Sequence, residues 1–498
     1  MFAACLLALC LGQQWSGTTS NYHGFVRHDF NIAGCAALIV EPKTPAKGNP
    51  WVWRMEFFDH RPEFDLAMLA KGYYLAYLNV GNTFGCPNAM DQFAAFHHEL
   101  TANHNFNKRA ILEGLSRGGL YAYNFAAKNP DKVMVLYGDA PVCDFTTWPY
   151  GGRGGARSDG DWKDLLNSYG FPNEQAALTY PFMPIDNLAP LAAAKIPIIH
   201  IVGDADELLP VSENTAVVER RYKALGGTME VIHKPGGKHH PHALDDPTPL
   251  VQFMEKHFND SAKALPAPRI PAPNPESRYD LAGWQGRSWL DQHNDCVQAA
   301  STLDPQVILI GDSITQGWGG EGRHVAAGIP DYWKTYLQPV HALNMGIAGD
   351  RVQNVLWRLQ HGALTQSHPK IVELHIGTNN LASDDAPDIA KGIEDALKQI
   401  RKDAPQATVI LIGLFPTGPN PQDLRRQRAM EVNRRIAKLA NGKNVRFVDI
   451  DSELLKPDGT QDGDKMSSDT VHMVAGGYIV WGKALRAEID RILGHAAQ

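Results

Sequence analysis

Val307-Ile308-Leu309-Ile310-Gly311-Asp312-Ser313-Ile314-Thr315 decides the fold of the second half of the chain. Four consecutive aliphatic residues, three of them β-branched, read as a strand covered on both faces, and such strands belong to parallel sheets. The run ends on glycine and then on small polar residues, so the chain leaves the sheet there. Working outward, Ile371–Ile376, Thr408–Ile412 and Val445–Val448 have the same character. Between them lie helical patterns. In the one beginning near Arg351, Val352, Val355, Leu356 and Leu359 fall at i, i+3, i+4 and i+7, one apolar stripe. The first half repeats the alternation, with strands expected at Ala36–Val40, Trp51–Phe58, Tyr73–Leu78, Ala110–Glu113, Val133–Tyr137 and Ile196–Val202. Alternating strands and helices mean an α/β chain with mainly parallel sheets. At 498 residues it exceeds what one core covers, roughly 250–300, so two domains are expected.

The division falls near the middle. From Pro266 to Pro275 five of ten residues are proline, a composition that favours an extended, semi-rigid spacer. The expected domains are 20–260 and 285–498, joined by a Pro-rich linker over 261–284. At the other end, 1–12 is apolar and too short to span a bilayer; it reads as a secretory leader lacking its basic flank. Export, to the periplasm or beyond, is the corresponding expectation, with no stable membrane insertion. A charged content of 20% and a net charge of −7 are ordinary for a globular protein, and no long basic run offers itself to nucleic acid. The six cysteines form no CxxC pair. Buried free thiols are the first expectation, and one disulfide in the first half the second.

Two stretches carry chemistry. In the first half, Gly114-Leu115-Ser116-Arg117-Gly118 comes after a strand and precedes a helical segment. This G-x-S-x-G turn presents a serine hydroxyl at a helix N-terminus. An acid stands after the strand Ile196–Val202, as Asp206 or Asp204. A histidine stands after Met229–Ile232, as His239 or His240. In the order serine, acid, histidine, the segment 20–260 resembles the α/β-hydrolase fold. The resemblance implies Ser116 as nucleophile, His239 as base and Asp206 as the carboxylate that orients it. The backbone of Arg117 would donate to the oxyanion, with a second donor near Phe58 and Asp59. The run His239-His240-Pro241-His242 also suits a metal patch or a structural loop. Residues 144–185 would form a cap whose Trp148, Tyr150, Tyr169, Tyr180 and Phe182 either pack or hold a ring-shaped substrate.

In the second half four blocks stand in order: Gly311-Asp312-Ser313, Asn344 through Gly349-Asp350, Gly377-Thr378-Asn379-Asn380, and Asp469-Thr470-Val471-His472. Together they resemble the GDSL/SGNH hydrolase family, a flavodoxin-like fold, and within it the catalytic subunits of platelet-activating-factor acetylhydrolase. That second likeness extends to Trp289–Asn294, Val355–Leu359 and Gly476-Gly477-Tyr478. The resemblance implies Ser313 as nucleophile, His472 as base and Asp469 as its partner. The backbone N–H groups of Ser313 and Gly349 and the amide of Asn379 would form the oxyanion hole. Asp312 and Asp350 read as hydrogen-bonding supports.

Both sites would transfer an acyl group from an ester to water through a serine ester, with no metal or organic cofactor required. By analogy with sugar esterases of the second family, the expected substrate is an acylated oligo- or polysaccharide, with acetylated plant polymer foremost. A lipid or small ester is the alternative, as are a non-catalytic binding role or peptidase activity for the first half.

Overall fold

A computed structural model describes residues 15–258, 265–274, 286–320 and 329–495. The apolar leader 1–12, and 261–264 and 275–284 of the expected linker, lie outside the described residues. The chain divides into two compact units, one from Met1–Tyr169 and Asn173–Ala264, the other from Gly170–Pro172 and Leu265–Gln498.

The first unit is built on nine strands among the described residues: β1 (Thr18–Tyr22), β2 (Phe25–Ile32), β3 (Cys35–Glu41), β4 (Trp51–Arg54), β5 (Tyr74–Asn79), β6 (Ala110–Leu115), β7 (Val133–Asp139), β8 (Ile198–Gly203) and β9 (Met229–Lys234). Their order is β1-β2-β3-β5-β4-β6-β7-β8-β9. The β1–β2, β2–β3 and β3–β5 pairs are antiparallel and every later pair is parallel. Every residue of β6, β7 and β8 is buried, as strands covered on both faces must be. The edge strand β1 is mostly polar and solvent-facing, while β9 at the other edge mixes polar and apolar residues and is partly covered. Helices Glu63–Ala70 and Thr248–Phe258 pack Phe64, Met68, Leu250 and Met254 onto one face of the sheet. Helix Gly118–Lys128 covers the other side so closely that a Cβ on Gly119 would lie 2.6 Å from that of Pro141.

The strand expected over Trp51–Phe58 ends at Arg54. Phe57 takes φ +54° and turns the chain away. The buried Arg54 guanidinium anchors the loop beyond the strand. It donates to Asp65 at 2.6 Å, to Glu113 at 3.2 Å and to the His60 carbonyl. All three side chains are sealed from solvent, so the ion pairs and the loop carbonyl satisfy a charge that would otherwise be costly to bury.

The second unit has five parallel strands among the described residues: β10 (Val307–Gly311), β11 (Ala342–Asn344), β12 (Ile371–His375), β13 (Thr408–Ile412) and β14 (Val445–Val448), ordered β11-β10-β12-β13-β14. The winding direction reverses about β10. In open parallel sheets the crevice for a ligand lies beyond the carboxyl ends of the strands at such a switch point. Helices Val352–Gln360, Ala386–Asp403 and Leu424–Ile436 bury one apolar face. Helix Ala475–Leu493 covers the other with Tyr478, Trp481 and Leu485.

The proline-rich segment is not a free spacer over its described part. Ala267, Ile270 and Ala272 are buried. Ala272 exchanges backbone and side-chain hydrogen bonds with Gln353 and Asn354, and Arg269 pairs with Asp395 at 2.7 Å. Residues 265–274 are therefore a strap belonging to the second unit, and the boundary expected at 285 moves to Leu265. The path is extended except for a 3₁₀ turn at Ala267–Arg269, and Ile270 and the small alanines supply the apolar contact that holds it. The described cysteines, Cys35, Cys86, Cys143 and Cys296, are all buried free thiols. Among the described residues no helix is long and apolar enough to cross a membrane.

Candidate active sites

Ser313 opens a four-residue helix, Ser313–Gln316, where β10 ends. Asp312 caps that helix, accepting the Ile314 N–H at 3.0 Å. Tyr478 ties it down from below, donating its hydroxyl to the Ile314 carbonyl at 2.8 Å. The Ser313 Oγ lies 2.8 Å from His472 Nε2, and His472 Nδ1 lies 2.6 Å from Asp469 Oδ2. The other Asp469 oxygen accepts the backbone N–H groups of Val471 and His472, both at 2.9 Å. Partial burial pushes the Asp469 pKa up, but these N–H groups and the imidazole outweigh it and hold the carboxyl below its usual range. Thus one carboxylate, fixed by two backbone N–H groups of its own loop, braces the imidazole three residues on. The pair stays wet: the side chains of His472 and Asp469 are 44% and 48% exposed.

Gly349 takes φ +85°, a conformation only glycine adopts without strain. Asn379 sits on the 3₁₀ turn Thr378–Asn380 after β12 and donates one amide hydrogen to the Asp350 carbonyl at 2.8 Å. An amide carries two donors, so the second hydrogen is left for another acceptor. Asp350 itself is locked by Trp289 Nε1 at 2.6 Å and Arg358 Nη1 at 2.8 Å. The sequence reading of Asp350 as a support agrees with this, and Trp289 is the unforeseen partner. Behind Ser313, burial raises the Asp312 carboxyl to about 7.

Ser116 stands between β6 and helix Gly118–Lys128 with φ +47°, the strained turn a nucleophile elbow requires. A Cβ on Gly114 would lie 2.7 Å from the Gly118 carbonyl oxygen, which is why glycine flanks the serine. The Ser116 Oγ is 3.0 Å from His239 Nε2, and His239 Nδ1 is 2.7 Å from Asp206 Oδ2. Asp206 also accepts the N–H groups of Leu208 and Leu209. Here the histidine and aspartate side chains are only 6% and 2% exposed. The two alternatives do not join the relay: Asp204 bonds His233 at 2.6 Å, and His240, exposed at the rim of the same cavity, makes no hydrogen bond to Ser116.

A cavity of about 360 Å³ opens over Ser116, walled by Phe57, Arg117, Trp148 and Leu208 together with histidines. The loop residues facing it are Phe57 and His60, whereas Phe58 packs on Tyr22 and Tyr77 and Asp59 pairs with His23. Of the five cap aromatics Trp148 lines the cavity; Tyr169 and Tyr180 are buried on Phe145, Phe182 is buried on Tyr180, and Tyr150 packs on Trp162. The Arg117 guanidinium lies between the rings of Phe57 and Phe84 at 5.2 and 5.5 Å, and 3.6 Å from both Glu56 and Asp161. Sequence reasoning passed over a second buried pair, His242 with Asp139 at 2.8 Å. Its signal was present: an aspartate closing the strand after the elbow, and a third histidine in the run.

Residues 309–479 match the GDSL-like Lipase/Acylhydrolase family. The chain is 34% identical over 224 residues to the platelet-activating factor acetylhydrolase IB subunit alpha2 of Rattus norvegicus, covering 45% of this chain and 92% of that protein. To the alpha1 subunit of the same organism it is 36% identical over 224 residues, covering 45% and 90%. Among solved structures, a GDSL-like lipase from Bacteroides thetaiotaomicron aligns with 20% identity and a TM-score of 0.34, over 41% of this chain and 97% of that one. Through its second unit the chain belongs to the GDSL-like lipase/acylhydrolase family, hydrolases that act on esters.

Proposed function

We propose that the chain is a two-site serine esterase that removes short acyl groups, acetyl above all, from acylated carbohydrate. The observation that carries this is the continuous relay from Ser313 Oγ through His472 to Asp469, at 2.8 and 2.6 Å. Ser313 attacks the ester carbonyl while His472 Nε2 takes its proton. His472 then passes that proton to the departing alcohol, leaving an acyl-serine. Water, deprotonated by the same nitrogen, attacks the acyl-serine and frees the acid. Asp469 holds the ring in the tautomer that accepts at Nε2 and stabilises the imidazolium. The N–H groups of Ser313 and Gly349 and the spare Asn379 hydrogen meet the developing oxyanion.

Ser116, His239 and Asp206 form the second relay, and the strand order from β2 onward supports an α/β-hydrolase reading of the first unit. The cavity over Ser116, walled in part by Phe57 and Trp148, suits a ring or a bulkier acyl group. The likeness to acetylhydrolase subunits favours a second reading for Ser313, a small acetyl ester of a lipid or glycerol alcohol. The leader-like start is the basis for proposing an exported protein.

Acetate release separates these readings. Acetylated xylan and an alkyl-glycerol acetate are offered to the wild type, Ser116→Ala and Ser313→Ala. Release from xylan that disappears with Ser313→Ala supports the carbohydrate reading. Release from the glycerol ester alone moves the assignment to the second.

A further inference from the structure

We propose that His239, His240 and His242 form a transition-metal site, and that Zn²⁺ bound there switches Ser116 off. The proposal rests on Ser116 being a working nucleophile. One ring nitrogen of each histidine lies within 4.8 Å of the others. Their rings meet edge to face, with centroids 4.8–4.9 Å apart. His60 stands next in line, 5.9 Å from His242 and 6.4 Å from His240.

The hydrogen bonds already sort the nitrogens. His242 gives Nδ1 to Asp139, and His239 gives Nδ1 to Asp206. A ring that donates from Nδ1 keeps a lone pair on Nε2. A carboxylate behind an imidazole is the outer-shell arrangement that orients histidine metal ligands and raises their basicity. Asp139 is itself fixed by the Ala243 N–H at 2.6 Å and the Tyr137 hydroxyl at 3.0 Å. Two of the three rings are therefore held by buried aspartates, while His240 is exposed, and among the described residues its ring has no hydrogen-bond partner. Tetrahedral zinc with bonds of ~2.0–2.1 Å sets nitrogens a little over 3 Å apart. The cluster is wider than that, and the exposed, untethered His240 is the ring that can close it. A water ligand from the cavity completes the coordination.

The consequence for Ser116 turns on one electron pair. The Nε2 lone pair that receives the Ser116 proton is the pair His239 would donate to zinc. While the metal is bound, Ser116 keeps its proton and stays a weak nucleophile. Removal of zinc returns the pair, so the block is reversible. The Ser313 site has no comparable cluster among the described residues and stays active.

The test uses the full-length Ser313→Ala protein, in which a fluorophosphonate probe reports on Ser116 alone. Zn²⁺ is titrated against labelling, and its binding is measured separately by calorimetry. Co²⁺ substitution gives the visible absorption of a tetrahedral site. The expected result is loss of labelling as zinc binds, with recovery on chelation. His240→Ala should raise the zinc concentration for half-block roughly ten- to a hundredfold, measured against its own metal-free labelling; Lys238→Ala should not. Zinc binding no tighter in the parent than in His240→Ala overturns the site, and zinc that binds without blocking the probe overturns the switch. Absence of labelling without any metal would instead refute Ser116 as a nucleophile, and calorimetry and the cobalt spectrum would still decide the site.

Discussion

Glu373 is a carboxyl group that the second unit buries without a hydrogen-bond partner among the described residues. It lies in the middle of β12, fully buried, with neither carboxylate oxygen hydrogen-bonded. Burial, and then the neighbouring Asp312 charge, raise its pKa well above the ordinary value. The folded state thus holds a proton that the unfolded chain releases once the pH passes the normal glutamate range, near ~4.3. Because the native state binds more protons, stability is fully present below that range and is lost as pH rises. Asp312 adds the same sign up to about 7. Thermal unfolding followed between about pH 5 and pH 8 should show a melting temperature that falls with pH in the wild type and falls less in Glu373→Gln. Equal slopes would mean that Glu373 already has a partner for its charge. At the site itself, Ser313→Ala should abolish Ser313-dependent ester turnover down to the ~10³–10⁴-fold residue left by binding and the oxyanion hole. Asn379→Ala should cost about 10²–10³ in kcat with little change in KM, because its amide meets only the developing charge. A change confined to KM would make Asn379 a substrate-binding residue.

At the scale of elements, the strap over the C-terminal helices hinges on one glycine. A Cβ at Gly392 would sit 2.4 Å from the Pro268 carbonyl oxygen and 2.8 Å from Val352 Cγ1. The helix Ala386–Asp403 can meet the strap only because that atom is missing. Gly392→Ala should destabilise the second unit by ~1–3 kcal/mol, the usual range for overpacking, and open 266–274 to proteolysis. Unchanged denaturant midpoints and digestion patterns would show that the strap contributes nothing. The strap also marks where sequence reading stopped. Prolines announce an extended path but not whether it is solvated, since that depends on a surface made by residues about a hundred positions away. The β1–β2 hairpin was hidden too, because β1 is polar and β2 mixes apolar with charged residues, so neither shows a buried aliphatic run. By contrast β10 and the turn after β6 were legible because buried aliphatic runs and glycine-flanked serines depend on local geometry alone. His239 and Asp206 could be named only alongside His240 and Asp204. Choosing between adjacent residues requires knowing which way a loop side chain faces.

For the molecule as a whole, the boundary at Leu265 has a direct consequence. A fragment 265–498 should be more stable than 286–498, because the second lacks Ile270, Ala272 and the Arg269–Asp395 pair. Equal urea midpoints for the two fragments would return the strap to the status of a linker. The two relays also differ in wetness. His239 and Asp206 are sealed, while nearly half of the His472 and Asp469 side-chain surface meets solvent. Solvent and its ions therefore meet the second pair over far more of its surface than the first. The Debye length shrinks from about 10 Å at 0.1 M salt to about 3 Å at 1 M, close to the separation of the exposed charges. On the proposed two-site reading, ionic strength becomes a dial: concentrated salt should dim the carboxylate's hold on the His472 imidazolium more than it touches the covered Ser116 relay, a difference that ester turnover by Ser116→Ala and Ser313→Ala across a salt series would read.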